Sequence, residues 1–573
     1  MVMESDQLDD LNHFDPLAFA ARASDPDTPV WNDAIHGPNS NAFWDAMYAE
    51  TLGLLKVNAW SQVPRTPDMT VIPVTWAFRI KRFPSGLIRK YKARLCVRGD
   101  LQQDDTEPYL DTFYAPVVAW ATVRLLLILS LLLDLATLQI DYTLAFVQAP
   151  IDSVVYIQLP RGWSRLNDMG LPVPFDKQCV LKLNRSLYGL KQSPKNFFLH
   201  LKETLEQIGY SQSTHDPCLF YKGSTICLVY VDDCLFYSTS RTTIDADLDL
   251  LKQQSLDFNI EDSVAGFLGV HLHRNEDTGA IHMTQVGLID RILSALDLED
   301  CNPKATPAPT NPLPKDAEGD RFNGTYNYPS VLGMLSHLCN HTRSDIAFAV
   351  HQCARFTHHP TELHAQYLQH IGRYLKGTRT LGTILQPDKS SSTLKVDCYC
   401  DADFAGLYKT EDRADPHCVK SRTGYVICVN NCPVTWGSKL QTSIALSTME
   451  AEYIALSSAC RELLPLQKLL HEISTKVNLP IESPIPIHST IWEDNEGALK
   501  LANMPLPRVT PRSKHFACKF HWFRDHVSNG SNDVDSDKFL VKPIDTRNQL
   551  ADIFTKGLVG ATFQKLRAKL LGW

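Results

Sequence analysis

The residues best placed to do chemistry are a pair of adjacent aspartates, Asp232 and Asp233, set between two β-prone apolar arms in Leu228 to Tyr237. The pattern reads as a hairpin. Two neighbouring carboxylates on an apolar hairpin repel, and divalent cations that bridge them to phosphate oxygens would relieve this. Asp-Asp at a turn is also ordinary turn chemistry, so the pair alone decides nothing. A third acid, Asp141, ends the apolar run Gln139-Ile140-Asp141 and precedes Ala145-Phe146. Three acids on two neighbouring strands would make a metal cage.

Such a cage needs a sheet beneath it. Val71 to Arg82, Tyr91 to Val97 and Leu138 to Asp141 read as strands and Thr122 to Leu133 as a helix, a mixed α/β or α+β pattern. Ser193-Pro194 supplies a cap and a first-turn proline, after which Phe197, Leu201, Leu205 and Ile208 recur at helical spacing. From Arg79 to Gly99 eight basic residues stand without an acid, with Phe83 and Tyr91 among them, a phosphate-facing composition. A solvated basic hairpin would have the same composition.

The 573 residues suit three or four domains. Residues 1–38 form an acidic lead-in expected to be disordered, since the first 35 hold eight acids against one Arg. The run from Cys301 to Pro329 carries six prolines and marks a linker (301–329) after a first folded unit, 39–300. A helical connection, 330–392, follows; its stripe Tyr367, Leu368, Ile371, Tyr374 and Leu375 ends at Lys376-Gly377. A new unit, 393–573, opens on the alternation Leu394, Val396, Cys398, Cys400, with strands flanking an Asn430-Asn431 turn.

With 44% hydrophobic and 21% charged residues, the chain has the composition of an ordinary globular protein. A net charge of −8 argues against a protein that coats nucleic acid indiscriminately. The longest apolar run, Leu125 to Leu133, is too short to span a bilayer and reads as a buried helix. Met1 to Asp10 holds four acids and no Lys or Arg, unlike a signal or transit peptide, and the fifteen cysteines form no framework. These features suit reduced thiols in an intracellular protein with no membrane partner. His417-Cys418 with Cys428 and Cys432 could suggest zinc, but Cys428 in its apolar run reads as a small buried residue. Asp277-Thr278-Gly279 spells an aspartic protease triplet yet sits where a hairpin turn belongs.

Tyr230-Val231-Asp232-Asp233, with Asp141 to Phe146 upstream and Ser186 to Pro194 between, resembles the reverse transcriptase of copia-type LTR retrotransposons. Lys90 to Arg94, Phe113 to Val118 and Phe267-Leu268-Gly269 extend the likeness, which runs from about residue 40 onward. It implies a palm-fingers-thumb polymerase unit, an α-rich connection and a ribonuclease H-like α/β domain. Asp141, Asp232 and Asp233 would be polymerase metal ligands. Arg94, with Lys92 and Lys81, would hold the dNTP triphosphate, Phe146 would exclude a 2′-hydroxyl, and Tyr188 and Gly189 would line the nucleotide pocket.

The same resemblance implies a second set, Asp401, Glu452, Asp494 and Asp552, as ribonuclease H metal ligands, with Asp403 and Glu450 as close competitors. Each centre would take two Mg²⁺, for which Mn²⁺ can substitute. Arg512, Lys514 and His515 would contact a nucleic-acid backbone. The implied partners are an RNA template, a DNA primer, their hybrid and dNTPs, in a cytoplasmic virus-like particle and also in the nucleus. No protease, integrase core or zinc knuckle is visible, so the chain reads as a Pol fragment or a truncated element. Ser344 in place of a common proline and Met449 in place of a small polar residue depart from the family pattern, as does an insertion from Glu411 to Lys420. The alternative is a decayed relic that binds nucleic acid without turnover.

Overall fold

The computed structural model describes residues 27–82, 88–102, 113–173, 176–261, 264, 266–324, 326–390, 393–408, 416–480, 485–505, 508, 520–528 and 538–573. It is a mixed α/β structure. Strands β1 (Trp60–Pro64), β2 (Val71–Ile72), β6 (Tyr156–Ile157) and β7 (Cys179–Leu183) form a small sheet in the order β1-β7-β6-β2. The basic segment forms the expected hairpin of β3 (Val74–Arg82) and β4 (Ile88–Val97), packed under the helix Ser40–Lys56 through Phe43, Phe78 and Leu95. Pro73, which has no N–H to give, interrupts what the sequence reads as one strand from Val71.

A six-stranded sheet, the one the resemblance would make the palm, comprises β5 (Ala136–Tyr142), β8 (Ser211–Gln212), β9 (Leu219–Lys222), β10 (Thr225–Tyr230), β11 (Asp233–Ser238) and β12 (Phe258–Glu261), in the order β12-β5-β11-β10-β9-β8. The helix Ser193–Gln207 buries Phe197, Leu201 and Leu205 against one face. Ser193 is the first residue of the helix rather than its cap: the hydroxyl donates to the Leu187 carbonyl, and Gln192 occupies the cap position without a side-chain bond to the helix. On the other face lies the helix Trp120–Leu132, buried on nearly every side because the C-terminal domain covers what the palm leaves open.

A third sheet, β13 (Gly266–Phe267), β14 (Val270–Arg274), β15 (Ile281–Thr284) and β16 (Thr383–Leu385), joins segments on both sides of the Pro-rich stretch. Asp277-Thr278-Gly279 is the turn between β14 and β15, closed by the Asn275 side chain accepting from the Asp277 and Thr278 amides. The stretch 301–324 has no helix or strand, yet it is a packed strap. Leu313 is fully buried, the Lys304 amide donates to the Arg373 carbonyl, and His364 Nε2 lies 3.0 Å from the Pro314 carbonyl. Beneath it the helices Tyr328–His341, Ala347–Ala354 and Glu362–Gly377 share a core with the helix Gly560–Leu571.

The C-terminal sheet comprises β17 (Leu394–Asp403), β18 (Arg422–Val429), β19 (Cys432–Leu440), β20 (Ile487–Glu493) and β21 (Leu540–Pro543), ordered β19-β18-β17-β20-β21. The first three are antiparallel, and β20 and β21 run parallel to β17. Asn430 and Asn431 both take positive φ in the β18–β19 turn, as two-residue hairpins prefer. Across the sheet lies the long helix Thr448–Lys476, capped by Ser447. Every described cysteine is a free thiol; Cys418, Cys428 and Cys432 are buried.

Candidate active sites

Strands β5 and β11 pair so that Asp141 lies directly opposite Asp233. Opposed residues of an antiparallel pair share a face, which sets the two carboxylates together. The β10–β11 hairpin turns on Val231-Asp232 alone, since Tyr230 pairs with Asp233, so Asp233 belongs to the strand. Val231 has φ 50°, an uncommon conformation for a β-branched residue. The Asp232 carbonyl accepts from the Tyr142 amide at 2.8 Å, tying the turn to β5, and Gln139 Nε2 donates to Asp233 Oδ1 at 3.2 Å. Burial and then the charge of Asp232 push Asp233 up to about 7. The same two causes raise Asp141, against Lys92 and Lys81, which pull it down.

The basic hairpin thus turns its charge toward the acids. Lys92 is brought down to about 8, first by burial and then by Arg94 and Lys81, while Glu50 and Asp141 hold it up. Arg94 lies 5.2 Å over the Tyr188 ring, and Tyr188 lies 5.1 Å from Phe146. Gly189, at φ 90°, is where the hairpin meets the palm: a Cβ there would stand 2.1 Å from the Val97 carbonyl oxygen. The Val97 amide donates to the Tyr188 carbonyl at 2.7 Å. Five of the six predicted nucleotide-pocket residues, Arg94, Lys92, Phe146, Tyr188 and Gly189, therefore join one surface, and Lys81 reaches it by charge.

In the C-terminal domain Asp401 comes from β17, Glu452 from the second turn of the long helix and Asp494 from the residue after β20. Each offers an oxygen within 4.8 Å of the others, and among the described residues no other three ligating groups come this close. The palm acids are therefore set less tightly than these. Burial first, then Asp401, Glu493 and Asp494, push Glu452 up to about 11, and its Oε2 is buried without a hydrogen-bond partner. Thr555 donates to Asp401, and Thr546 Oγ1 donates to Asp494 Oδ2 at 2.8 Å. Asp552 stands outside this group of three and is paired with Lys556, whose Nζ lies 2.8 Å from Asp552 Oδ1 and 3.7 Å from Asp401 Oδ2.

Of the two competitors, Glu450 turns away to accept from the Leu446 amide, whereas Asp403 stays within electrostatic reach of Asp401. Arg512, Lys514 and His515 lie outside the described residues, as do residues 411–415 of the insertion. Glu50 and Lys556 were not anticipated. Lys556 had a usable signal, standing four residues after Asp552; Glu50 had none, because only the fold sets its helix against β4.

A sheet that presents an acid pair on a hairpin, beside a third acid and facing a basic hairpin, can hold divalent cations against a polyphosphate. Residues 57–310 match the family described as reverse transcriptase (RNA-dependent DNA polymerase). The chain is 31% identical over 544 residues to the retrovirus-related Pol polyprotein from transposon RE1 of Arabidopsis thaliana, covering 94% of this chain and 34% of the relative. It is 29% identical over 535 residues to that from transposon TNT 1-94 of Nicotiana tabacum, covering 91% and 37%. Its span is thus about a third of the length of the curated relatives it matches. A structure of the foamy viral protease-reverse transcriptase in complex with dsDNA aligns over 88% of this chain and 83% of that one, at 14% identity and a TM-score of 0.44. The chain carries a reverse transcriptase domain, that of a copia-type retrotransposon Pol polyprotein, and with it a nucleotidyltransferase fold.

Proposed function

We propose that this chain extends a DNA primer on an RNA template and then cuts the RNA strand of the resulting hybrid. The observation that carries the first half is the register of Asp141 opposite Asp233 with Lys81 and Lys92 turned toward them. The second half rests on Asp401, Glu452 and Asp494 converging from three elements of a mixed sheet.

Both acid sets suit a hard divalent cation such as Mg²⁺, with Mn²⁺ as substitute: the donors are carboxylate oxygens held against mutual repulsion, and Glu452 keeps an unpartnered buried oxygen. Asp141, Asp232 and Asp233 would hold the ions of one centre, and Asp401, Glu452, Asp494 and Asp552 those of the other. When bound, the ions would activate the attacking oxygen and neutralise charge on the phosphate. Arg94, Lys92 and Lys81 fix the triphosphate, and their charge is already in place before reaction, so little reorganisation is needed. Tyr188 and Phe146 form the floor on which the sugar rests, and Phe146 excludes a 2′-hydroxyl. Arg512, Lys514 and His515 would hold the hybrid backbone by charge.

The retained acids argue against a decayed relic, since all seven candidate ligands are carboxylates. The site of action proposed is a cytoplasmic particle, with the nucleus as a second. No helix among the described residues is long and apolar enough to cross a membrane. The test is primer extension on RNA with Mg²⁺ and dNTPs, and cleavage of a labelled hybrid, for the native protein and two variants. Asp232→Asn/Asp233→Asn should abolish extension and spare cleavage; Asp401→Asn/Glu452→Gln should do the reverse. A native protein that binds hybrid and does neither would leave the relic reading standing.

A further inference from the structure

The long helix Thr448–Lys476 touches both halves of the molecule. Near its start Glu452 sits in the C-terminal acid cluster; near its end Glu472 is buried in the edge of the palm. At about 1.5 Å per residue the two carboxylates are about 30 Å apart along one element. Glu472 Oε1 accepts from the Thr214 amide at 2.9 Å, from the Thr214 hydroxyl at 2.8 Å, and pairs with Lys476 at 3.2 Å. Its Oε2 accepts from the Ser213 hydroxyl and from Tyr221 at 3.4 Å.

Tyr221 is a residue of β9, which pairs with β10, and β10 pairs with β11, the strand that begins at Asp233. Two residues past the end of the helix, the Asn478 amide donates to the Gly223 carbonyl in the β9–β10 turn at 2.9 Å. A second tie lies on the same side of the palm. Arg124 is buried in the helix Trp120–Leu132, donates to the Val434 carbonyl of β19 at 2.7 Å and to that of Asn340, and lies 4.0 Å over the Trp436 ring. An apolar contact alone tolerates sliding; a carboxylate that accepts four bonds from a loop and a strand does not, because each displaced donor would be left buried and unmade.

We propose that Glu472 is a positioning residue that fixes the separation of the two acid centres, and with it the distance between the primer terminus and the cut in the RNA strand. The part concerning the cut rests on the ribonuclease reading above. Glu472 touches no reacting atom, so its removal alters where the RNA is cut while extension proceeds at its native rate.

The experiment uses the full chain, a DNA primer on a 5′-labelled RNA template, and extension stalled by withholding the next dNTP. The native protein should cut within a narrow window set from the primer terminus; Glu472→Ala should widen that window about twofold or more, and Glu472→Gln should restore most of the precision. An unchanged window in Glu472→Ala overturns the proposal. Hydrogen exchange gives a second readout independent of cleavage: the Thr214 and Asn478 amides should exchange about tenfold faster or more in Glu472→Ala, with β11 and β17 unchanged. Unchanged exchange overturns the clamp even if cutting shifts. A native protein that cuts nothing defeats the ribonuclease reading and the cut-spacing claim, while the exchange result still decides whether Glu472 ties the domains.

Discussion

Lys556 is held by the two carboxylates it separates: its ammonium lies 2.8 Å from Asp552 and 3.7 Å from Asp401. Burial disfavours the charge, but the two acids outweigh it and hold the ammonium well above the ordinary lysine range. The lysine is therefore a tethered cation within an acid cluster. In Lys556→Met, repulsion between Asp401 and Asp552 is uncompensated. Both acids are buried but Lys556 is partly exposed, so the loss should be about 1–2 kcal/mol, between surface and buried cases. Thermal melting with and without Mg²⁺ checks this: the variant should melt lower in chelator and recover part of the difference with the ion.

Gly189→Ala should cost about 2–3 kcal/mol, combining a positive φ with a Cβ that collides with the Val97 carbonyl. Urea unfolding measures the loss. Primer extension should fall further than stability explains, because the clash displaces the hairpin that carries Lys92 and Arg94.

Phe146→Leu should leave the fold standing at a cost of about 1 kcal/mol, since volume is nearly kept and Tyr188 and Phe197 remain as neighbours. Discrimination between dNTPs and rNTPs should drop by about 10-fold or more. Single-nucleotide incorporation with each substrate reads it, and unchanged selectivity would remove Phe146 from the sugar-recognition role.

Acid should loosen the domain junction. Burial pushes the Glu472 carboxyl up, but hydrogen bonds from Ser213, Thr214 and Lys476 prevail and bring it down to about 2, from an ordinary 4.5. A depressed carboxyl contributes stability that is complete above its unfolded value and is lost as pH falls through the folded one. Stability should therefore decline between about pH 4.5 and 2 through this group. Glu472→Gln should flatten that decline in melts taken across the range, and an identical slope would show that other groups carry it.

The chemistry was more legible in the sequence than the architecture. The two β-prone apolar arms around Asp232 and Asp233 suffice to read a hairpin, because an apolar run with one polar interruption has few other folds; that Asp233 belongs to the strand depends on the register with Tyr230. Ser193-Pro194 looked like a cap, yet the hydroxyl found the Leu187 carbonyl, a partner fixed by the preceding turn. Composition marked 301–329 as irregular but not as packed, since backbone bonds to Arg373 and the burial of Leu313 involve residues far along the chain. The pairing of β15 with β16 has the same cause: strand partners so distant leave no trace in local periodicity. In the C-terminal cluster, Asp401, Glu452 and Asp494 meet as the resemblance implied. The engagement of Asp552 by Lys556 shows in the sequence only as a four-residue spacing of opposite charges.

The strap over the helix Glu362–Gly377 also bears on how the chain comes apart. Strand β16 lies beyond the strap and completes a sheet begun before it, and Arg124 reaches across to β19. A protease that nicks the strap would cut the covalent thread while the two pieces remain interlocked. Fragments divided at the Pro-rich stretch would each expose an unfinished sheet edge and a bare apolar helix face, and should be soluble only when produced together.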